Sequence, residues 1–420
     1  MTRRYVVPGR VELVGKHVDY GGGRSLTCAV DIAMRATARP IDARILRVRQ
    51  RGSRDLVEVP IGPEAQPGRA RWSAYVAAVA RRVGRDFPDA SGGVDVHLSS
   101  RLPPAAGLSS STALSIALAR AVVESTGVTA HPLFQEHAGT PIGFAEYVAA
   151  IETGSAYGPF PGDEGVGVRG GAQDHVAIMC AREGMVGQFS YMPAVAEGWA
   201  PWPADLVIVI GVSGVRATKT GNAQASYNRA ADAVRWLVRR WNETTNRADA
   251  TLYSALSSST DAPGRIAAIA RDACGAPVSG DYLARRLAQF REECDVIVPG
   301  VTDAFRVDDR PRLGTLVDRS QALAEQALEN QVPETIHLAR SARELGAVAA
   351  SAFGAGFGGA VWAMVPAAAS DTFAQCWRES YTNAFPARAA QARFVTTRPG
   401  PPAGTAPMIA RKGRHGAVDG

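Results

Sequence analysis

The chain has 420 residues, 46% of them apolar and 20% charged, with a formal net charge of +6. That length is more than one core needs, so two lobes are expected, and the scattered basic residues lack the aromatic-interleaved stripe of a nucleic-acid binder. No run approaches the roughly 20 apolar residues of a membrane span, and the N-terminus shows no signal-peptide pattern. The five cysteines, Cys28, Cys180, Cys274, Cys294 and Cys376, are widely spaced with no CxxC pair, which suggests neither a disulfide framework nor a zinc site. A reducing, cytoplasmic setting follows as the default. The partner expected is a small molecule, not nucleic acid or membrane.

In chain order, Val11–Val14 is a short apolar run closed by Gly15. A polar turn from Lys16 to Arg24 carries three consecutive glycines, and Ser25–Val30 reads as a second strand. Further strands are predicted within 43–62, and a helix apolar on one face from Trp72 to Val83. Gly93–Leu98 alternates as a half-buried strand does. Helices are predicted over 113–126 and 143–152, with a loop-rich stretch between them. Residues 157–171 form a glycine-heavy loop. Leu206–Ile210 is a buried strand, helices dominate from Asn222 to about Leu345, and residues 346–365 read as strand, glycine turn, strand. From Arg398 the Pro/Gly-rich end is expected to be disordered.

The stretch from Pro103 to Thr112 joins a strand to a helix through small residues and four hydroxyls. The first N–H groups of a helix lack internal partners and its dipole is positive there, so a phosphate could sit on Gly107, Leu108, Ser109, Ser110 and Ser111. An ordinary Ser-rich cap explains the same stretch equally well. Arg10 and Asp174 together would suit phosphoryl transfer to a hydroxyl, the carboxylate taking or orienting the proton and the guanidinium holding phosphate charge. His17 and Asp19 could bind vicinal hydroxyls, although plain turn chemistry accounts for them too. Gly354–Gly359 fits a tight hairpin as readily as a second phosphate loop, and no Rossmann or Walker A pattern is present.

Three motifs in this order resemble the GHMP kinase superfamily and, within it, galactokinases. Residues 8–20 resemble the galactokinase signature PGRVNLIGEHTDY, residues 103–112 the phosphate loop PxGxGLSSS, and residues 351–359 the third motif TGGGFGG. Weaker echoes lie at Trp72–Val76, Gly170–His175, Ser226–Arg229 and Leu313–Ser320. The resemblance implies an α/β fold of α+β two-lobed GHMP kinase type. Its N-terminal lobe, 1–200, would have ribosomal-S5-like β-α-β topology; its C-terminal lobe, 201–397, would be ferredoxin-like, with the tail at 398–420.

The resemblance also implies roles. Arg10 and Asp174 would be the catalytic pair, Asp174 accepting the anomeric hydroxyl's proton. Lys16, His17, Asp19, Gly171 and Tyr227 would line the sugar. Trp72 would line the adenine side, and Pro103, Gly107, Leu108, Ser109, Ser110 and Ser111 would hold ATP, with Ser111 and Glu152 as Mg²⁺ contacts. The protein would be a monomer or homodimer.

The departures are Glu12 for Asn, Lys16 for Glu, Ala105 for Gly and His175 for Gln. Lys16 reverses a charge expected near C6 of the sugar, and a buried lysine wants an anion. A uronic acid's carboxylate would supply one. Alternatively Lys16 faces solvent or pairs with Glu12, and galactose remains the substrate. An ATP-dependent sugar 1-kinase is the leading reading. A non-catalytic sugar- and ATP-binding regulator would not need both Arg10 and Asp174, and a kinase for a non-sugar alcohol would not need His17 and Asp19.

Overall fold

A computed structural model describes residues 1–70, 72–103, 106–215 and 222–405, with side chains at 222–227 not described. Two sheets carry the architecture. The first is built on β1 (Arg3–Val14), β2 (Arg24–Ile41), β3 (Ile45–Gln50), β4 (Leu56–Pro60) and β5 (Gly93–Ser100). β6 (Met185–Ser190) and β7 (Val195–Pro201) extend it, β6 pairing with the N-terminal half of β2. β3 and β5 run parallel, because the helix Ser73–Asp86 carries the chain across between β4 and β5; the remaining pairings are antiparallel. The second sheet has the order β11-β8-β10-β9, all antiparallel, from β8 (Leu206–Val212), β9 (Ala349–Ala352), β10 (Ala360–Pro366) and β11 (Arg393–Thr397). The fold is thus a mixed α/β structure of two domains.

Local sequence chemistry explains most elements. β8 is an unbroken Leu-Val-Ile-Val-Ile run and is buried along its whole length, as a strand covered on both faces must be. Thr140 accepts a hydrogen bond from the Gly143 N–H and Pro141 opens the helix Pro141–Thr153, an N-cap with proline in the first turn. Between the predicted helices, where only loop was expected, Pro132–Ala138 forms a short helix. Among the described residues three larger cores result. One lies between the sheets and the helices Ser73–Asp86 and Ser110–Ser125, and a second sits inside the helices of residues 222–292 and receives Val18 and Tyr20 from the turn after β1. The third packs Val207, Val209, Val361 and Ala363 of the second sheet against Leu338, Phe373, Trp377 and Tyr381. No helix among the described residues is long and apolar enough to cross a membrane.

The expected disorder from Arg398 is corrected for residues 398–405. The Gly400 N–H donates to the Ala29 carbonyl at 2.9 Å and the Ala403 N–H to the Ile178 carbonyl at 2.9 Å. A last strand, β12 (Gly404–Thr405), then pairs with β1. Backbone pairing along β1 and β2 supplied what composition could not reveal. Residues 406–420 lie outside the described residues.

A side chain at Gly400 would meet the backbone of Val30 and Asp31 at 2.7–2.8 Å. Gly400→Val should therefore lower stability by roughly 1–3 kcal/mol, the range for overpacking a filled site. Thermal unfolding followed by circular dichroism would register this as a lower melting temperature. An unchanged midpoint would mean that the segment contributes nothing.

Candidate active site

β1 places Arg10 beside an irregularity in its ladder with β2, and the guanidinium is buried. Its Nε and Nη2 donate to Asp174 Oδ1 at 2.7 and 2.6 Å, and its Nη1 donates to the Gly107 carbonyl at 2.5 Å. The Arg10 N–H also donates to the Leu108 carbonyl at 3.3 Å. Asp174 Oδ2 accepts from Ser109 Oγ at 2.6 Å. One charged cluster therefore joins β1, the loop before the helix Ser110–Ser125, and the helix Gln173–Met179. The Phe353 ring lies where a side chain at Gly107 would project, so residues 351–359 press against the same loop.

Ser109 adopts a left-handed conformation at the helix N-terminus, with φ 55°, and no side chain caps that helix. The first N–H groups of such a helix lack intrahelical partners and suit an anion. Ser110 and Ser111 are half-buried there, Leu108 is buried and Pro103 is half-buried; Ala105 lies outside the described residues.

A cavity opens in front of this cluster. Arg10, Glu12, His17, Asp19, Glu152 and Asp174 line it, together with Thr112, Gly171, Gln173, His175 and Gly354. His17 Nδ1 and the Tyr20 hydroxyl are 2.9 Å apart. Arg286 binds the His17 carbonyl and, at 3.2 Å, the Tyr20 hydroxyl, fixing the turn from below. Asp19 Oδ2 accepts the Gln173 N–H at 3.4 Å, and a Cβ at Gly171 would sit 2.4 Å from that oxygen, so only glycine fits. Glu152 Oε1 lies 3.2 Å from His175 Nε2. Sequence reasoning proposed no site role for Glu12, Gln173 and His175; the unusual acid and histidine among the departures were the available signal.

Not every expected residue converges. Trp72 packs against the main core just before the helix Ser73–Asp86 and lines neither this cavity nor its neighbour. Tyr227 belongs to the helix Asn222–Thr245, but its side chain lies outside the described residues.

Lys16 departs from the expected sugar contact. It is fully buried and does not line the cavity. Its Nζ donates to Ser320 Oγ at 2.9 Å and Ser351 Oγ at 2.7 Å, and Ser320 Oγ donates to Glu293 Oε1 at 2.6 Å. Glu293 also accepts the Gly15 N–H at 2.9 Å. Lys16 is thus bound to two hydroxyls and linked through Ser320 to the Glu293 carboxylate, with no direct pair to Glu12 among the described residues. Burial pulls the Lys16 ammonium below its ordinary pKa and pushes the Glu293 carboxyl up, while their attraction opposes both shifts.

Glu12 is buried at the cavity's floor. Oε2 accepts from Gln173 Nε2 at 2.6 Å, and Oε1 has no hydrogen-bond partner among the described residues. Burial pushes its pKa up to about 7, against the pull of Arg10 and Lys16. Among the described residues no group of three or more His, Cys, Asp or Glu side chains could hold a metal ion.

Three family models match the chain: GHMP kinases N terminal domain over 74–152, galactokinase galactose-binding signature over 3–40, and GHMP kinases C terminal over 301–383. A galactokinase of Chloroflexus aggregans is 37% identical over 118 residues, 28% of this chain and 30% of that protein. One from Actinobacillus pleuropneumoniae serotype 5b is 30% identical over 113 residues, 27% of this chain and 29% of the relative. The aligned stretches thus span less than a third of those relatives' length. Among solved structures, Lactococcus lactis galactokinase complexed with galactose superposes with a TM-score of 0.72 at 19% identity, over 96% of this chain and 95% of that one. Leishmania (L. major) mevalonate kinase in complex with R-mevalonate gives 0.55 at 16%, over 95% and 96%.

Reversing the buried charge should be costly. Lys16→Glu would set a second carboxylate against Glu293 and is expected to destabilise the fold by roughly 3–5 kcal/mol. Adding Glu293→Lys should recover part of that loss, as read by urea unfolding; an undisturbed single variant would contradict the buried network. Glu12 makes a pH prediction. Its folded pKa of about 7 lies above the ordinary 4.5, so the protonated form is favoured in the fold. Its contribution to stability is full below pH 4.5 and is lost as pH rises through 7. Glu12→Gln should remove that decline and exceed the parent by about 2–3 kcal/mol at pH 8, while parallel pH–stability curves would refute it.

Proposed function

We propose, for a chain that belongs to the GHMP kinase superfamily, that it transfers the γ-phosphoryl group of ATP to the anomeric hydroxyl of a neutral, galactose-like hexose. The observation that carries this reading is the Arg10–Asp174–Ser109 cluster, set between an uncapped helix N-terminus and a cavity rich in sugar-type partners. The relatives named galactokinase and the galactose-binding signature support the choice of sugar.

The residues divide the work. Asp174 orients the acceptor hydroxyl and takes its proton as the phosphoryl group leaves. Its ion pair with Arg10 orients it beforehand, and Arg10 then carries charge shed onto the phosphate oxygens. Ser109 holds the carboxylate's second oxygen and so fixes its plane. His17 and Asp19 receive sugar hydroxyls on a turn that Arg286 and Gly171 lock in place. The N–H groups at the start of the helix Ser110–Ser125 receive ATP phosphate oxygens.

Mg²⁺ would neutralise phosphate charge, and the donor set fits it. Mg²⁺ is commonly carried on phosphates with one or two protein oxygens, and the Ser111 hydroxyl and Glu152 carboxylate are the residues that would supply them. A protein cage is not needed.

Charge argues for a neutral sugar over a uronic acid. Lys16 is turned away, and Asp19, Glu152 and Asp174 face the cavity with Arg10 already committed to a carboxylate. A sugar carboxylate there would meet repulsion.

ADP release with Mg·ATP should accompany galactose but neither galacturonic nor glucuronic acid, with phosphorus NMR locating the new ester on the anomeric oxygen. Asp174→Asn should lower kcat by about 10²–10³-fold while ATP still binds. Wild-type turnover in that variant, or preference for a uronic acid, would overturn the proposal.

A further inference from the structure

A second cavity, of about 630 Å³, adjoins the first and shares Tyr20, Thr153, Gly170 and Gly171 with it. The two spaces therefore meet at these four residues, beside the reacting groups. Its volume lies in the range of pockets that enclose drug-sized ligands, roughly 300–1,000 Å³.

Its walls are apolar: Ala149 and Ala150 from the helix Pro141–Thr153, Val234 and Val238 from the helix Asn222–Thr245, and Ala156 and Met192 from loops. The polar side chains on these walls are largely committed elsewhere. Glu146 accepts the Ala194 N–H at 2.7 Å, and the Tyr157 hydroxyl donates to the His137 carbonyl at 2.8 Å. Asn242 makes two hydrogen bonds to the Asp249 backbone. Arg235, Arg239 and Glu243 also line the space, as solvent-exposed charges. The less exposed wall left for an occupant is mostly apolar. Continuity with the Arg10 cavity says that the occupant is attached to whatever sits there.

We infer that the acceptor is a hexose bearing an apolar substituent, an acylamino or alkoxy chain, which lies in this second cavity while the anomeric hydroxyl faces Asp174. This rests on the sugar-kinase reading above and narrows its substrate class.

The test uses the full chain and a series of galactose derivatives with free anomeric hydroxyls. Chains of one to four carbons are placed in turn at C2, C3, C4 and C6, and kcat and KM are read from ADP release. At one ring position KM should fall with chain length, up to about fourfold for each methylene buried. Ala156→Trp and Val238→Phe should abolish that gain and leave kcat/KM for galactose within about twofold. Ala156 is exposed, so its variant keeps the test alive if the Val238 variant fails to fold. If galactose is phosphorylated but no substituted sugar is preferred, or the preference survives both fillings, this inference fails alone. If no sugar, substituted or not, is phosphorylated or raises the melting temperature, the sugar-kinase reading fails and this one falls with it.

Discussion

The buried pair of Arg10 and Asp174 draws together three pieces of chain that are remote in sequence. All three guanidinium nitrogens reach one carboxylate or one loop carbonyl, and the carboxylate's other oxygen accepts from Ser109. A buried ion pair yields little net stability, because desolvating the charges offsets their attraction. Its worth is positional. It forces β1, the loop before the helix Ser110–Ser125 and the start of the helix Gln173–Met179 into one arrangement. Every other element of the site is placed relative to that arrangement.

The turn from Lys16 to Tyr20 obeys a second constraint. Its side chains point three ways at once: Lys16 into a buried polar network, His17 and Asp19 toward the cavity, Val18 and Tyr20 into the helical core. The helix Gly280–Glu292 and Glu293 after it hold the turn, with Arg286 on the His17 carbonyl, Gln289 on the Lys16 carbonyl and Glu293 on the Gly15 N–H. A turn with every face occupied cannot adjust to a poor ligand, which under the proposed reading suits selection among closely similar sugars.

The sequence made many of the strands and most helices legible, because periodicity and residue chemistry agree at those places, whereas β6, β7 and β11 went unread. The pairing of Arg10 with Asp174 came only from the resemblance, since residues 164 apart in sequence do not announce that they meet. Glu12 is two residues from Arg10 on β1 and so shares its face, which the period of a strand makes readable. Lys16 could not be read that way. Gly15, at φ 95°, ends the alternation, so the direction of the next side chain depends on what packs there. Its true partner, Glu293, lies 277 residues downstream, and nothing local announces it. The order of residues 398–405 was equally hidden, since composition marks a segment as poor in core-forming residues but cannot show that a sheet edge awaits it.

The return of that segment to β1 bears on how the molecule is made. β1 leaves the ribosome about 400 residues ahead of Gly404 and Thr405, which pair with Val6 and Tyr5. While those residues are being made, the outer edge of β1 is without β12 and presents open backbone groups to any passing strand. The strand that carries Arg10 thus waits for a distant partner, and a wrong pairing at that edge would fall on the strand that holds the site together.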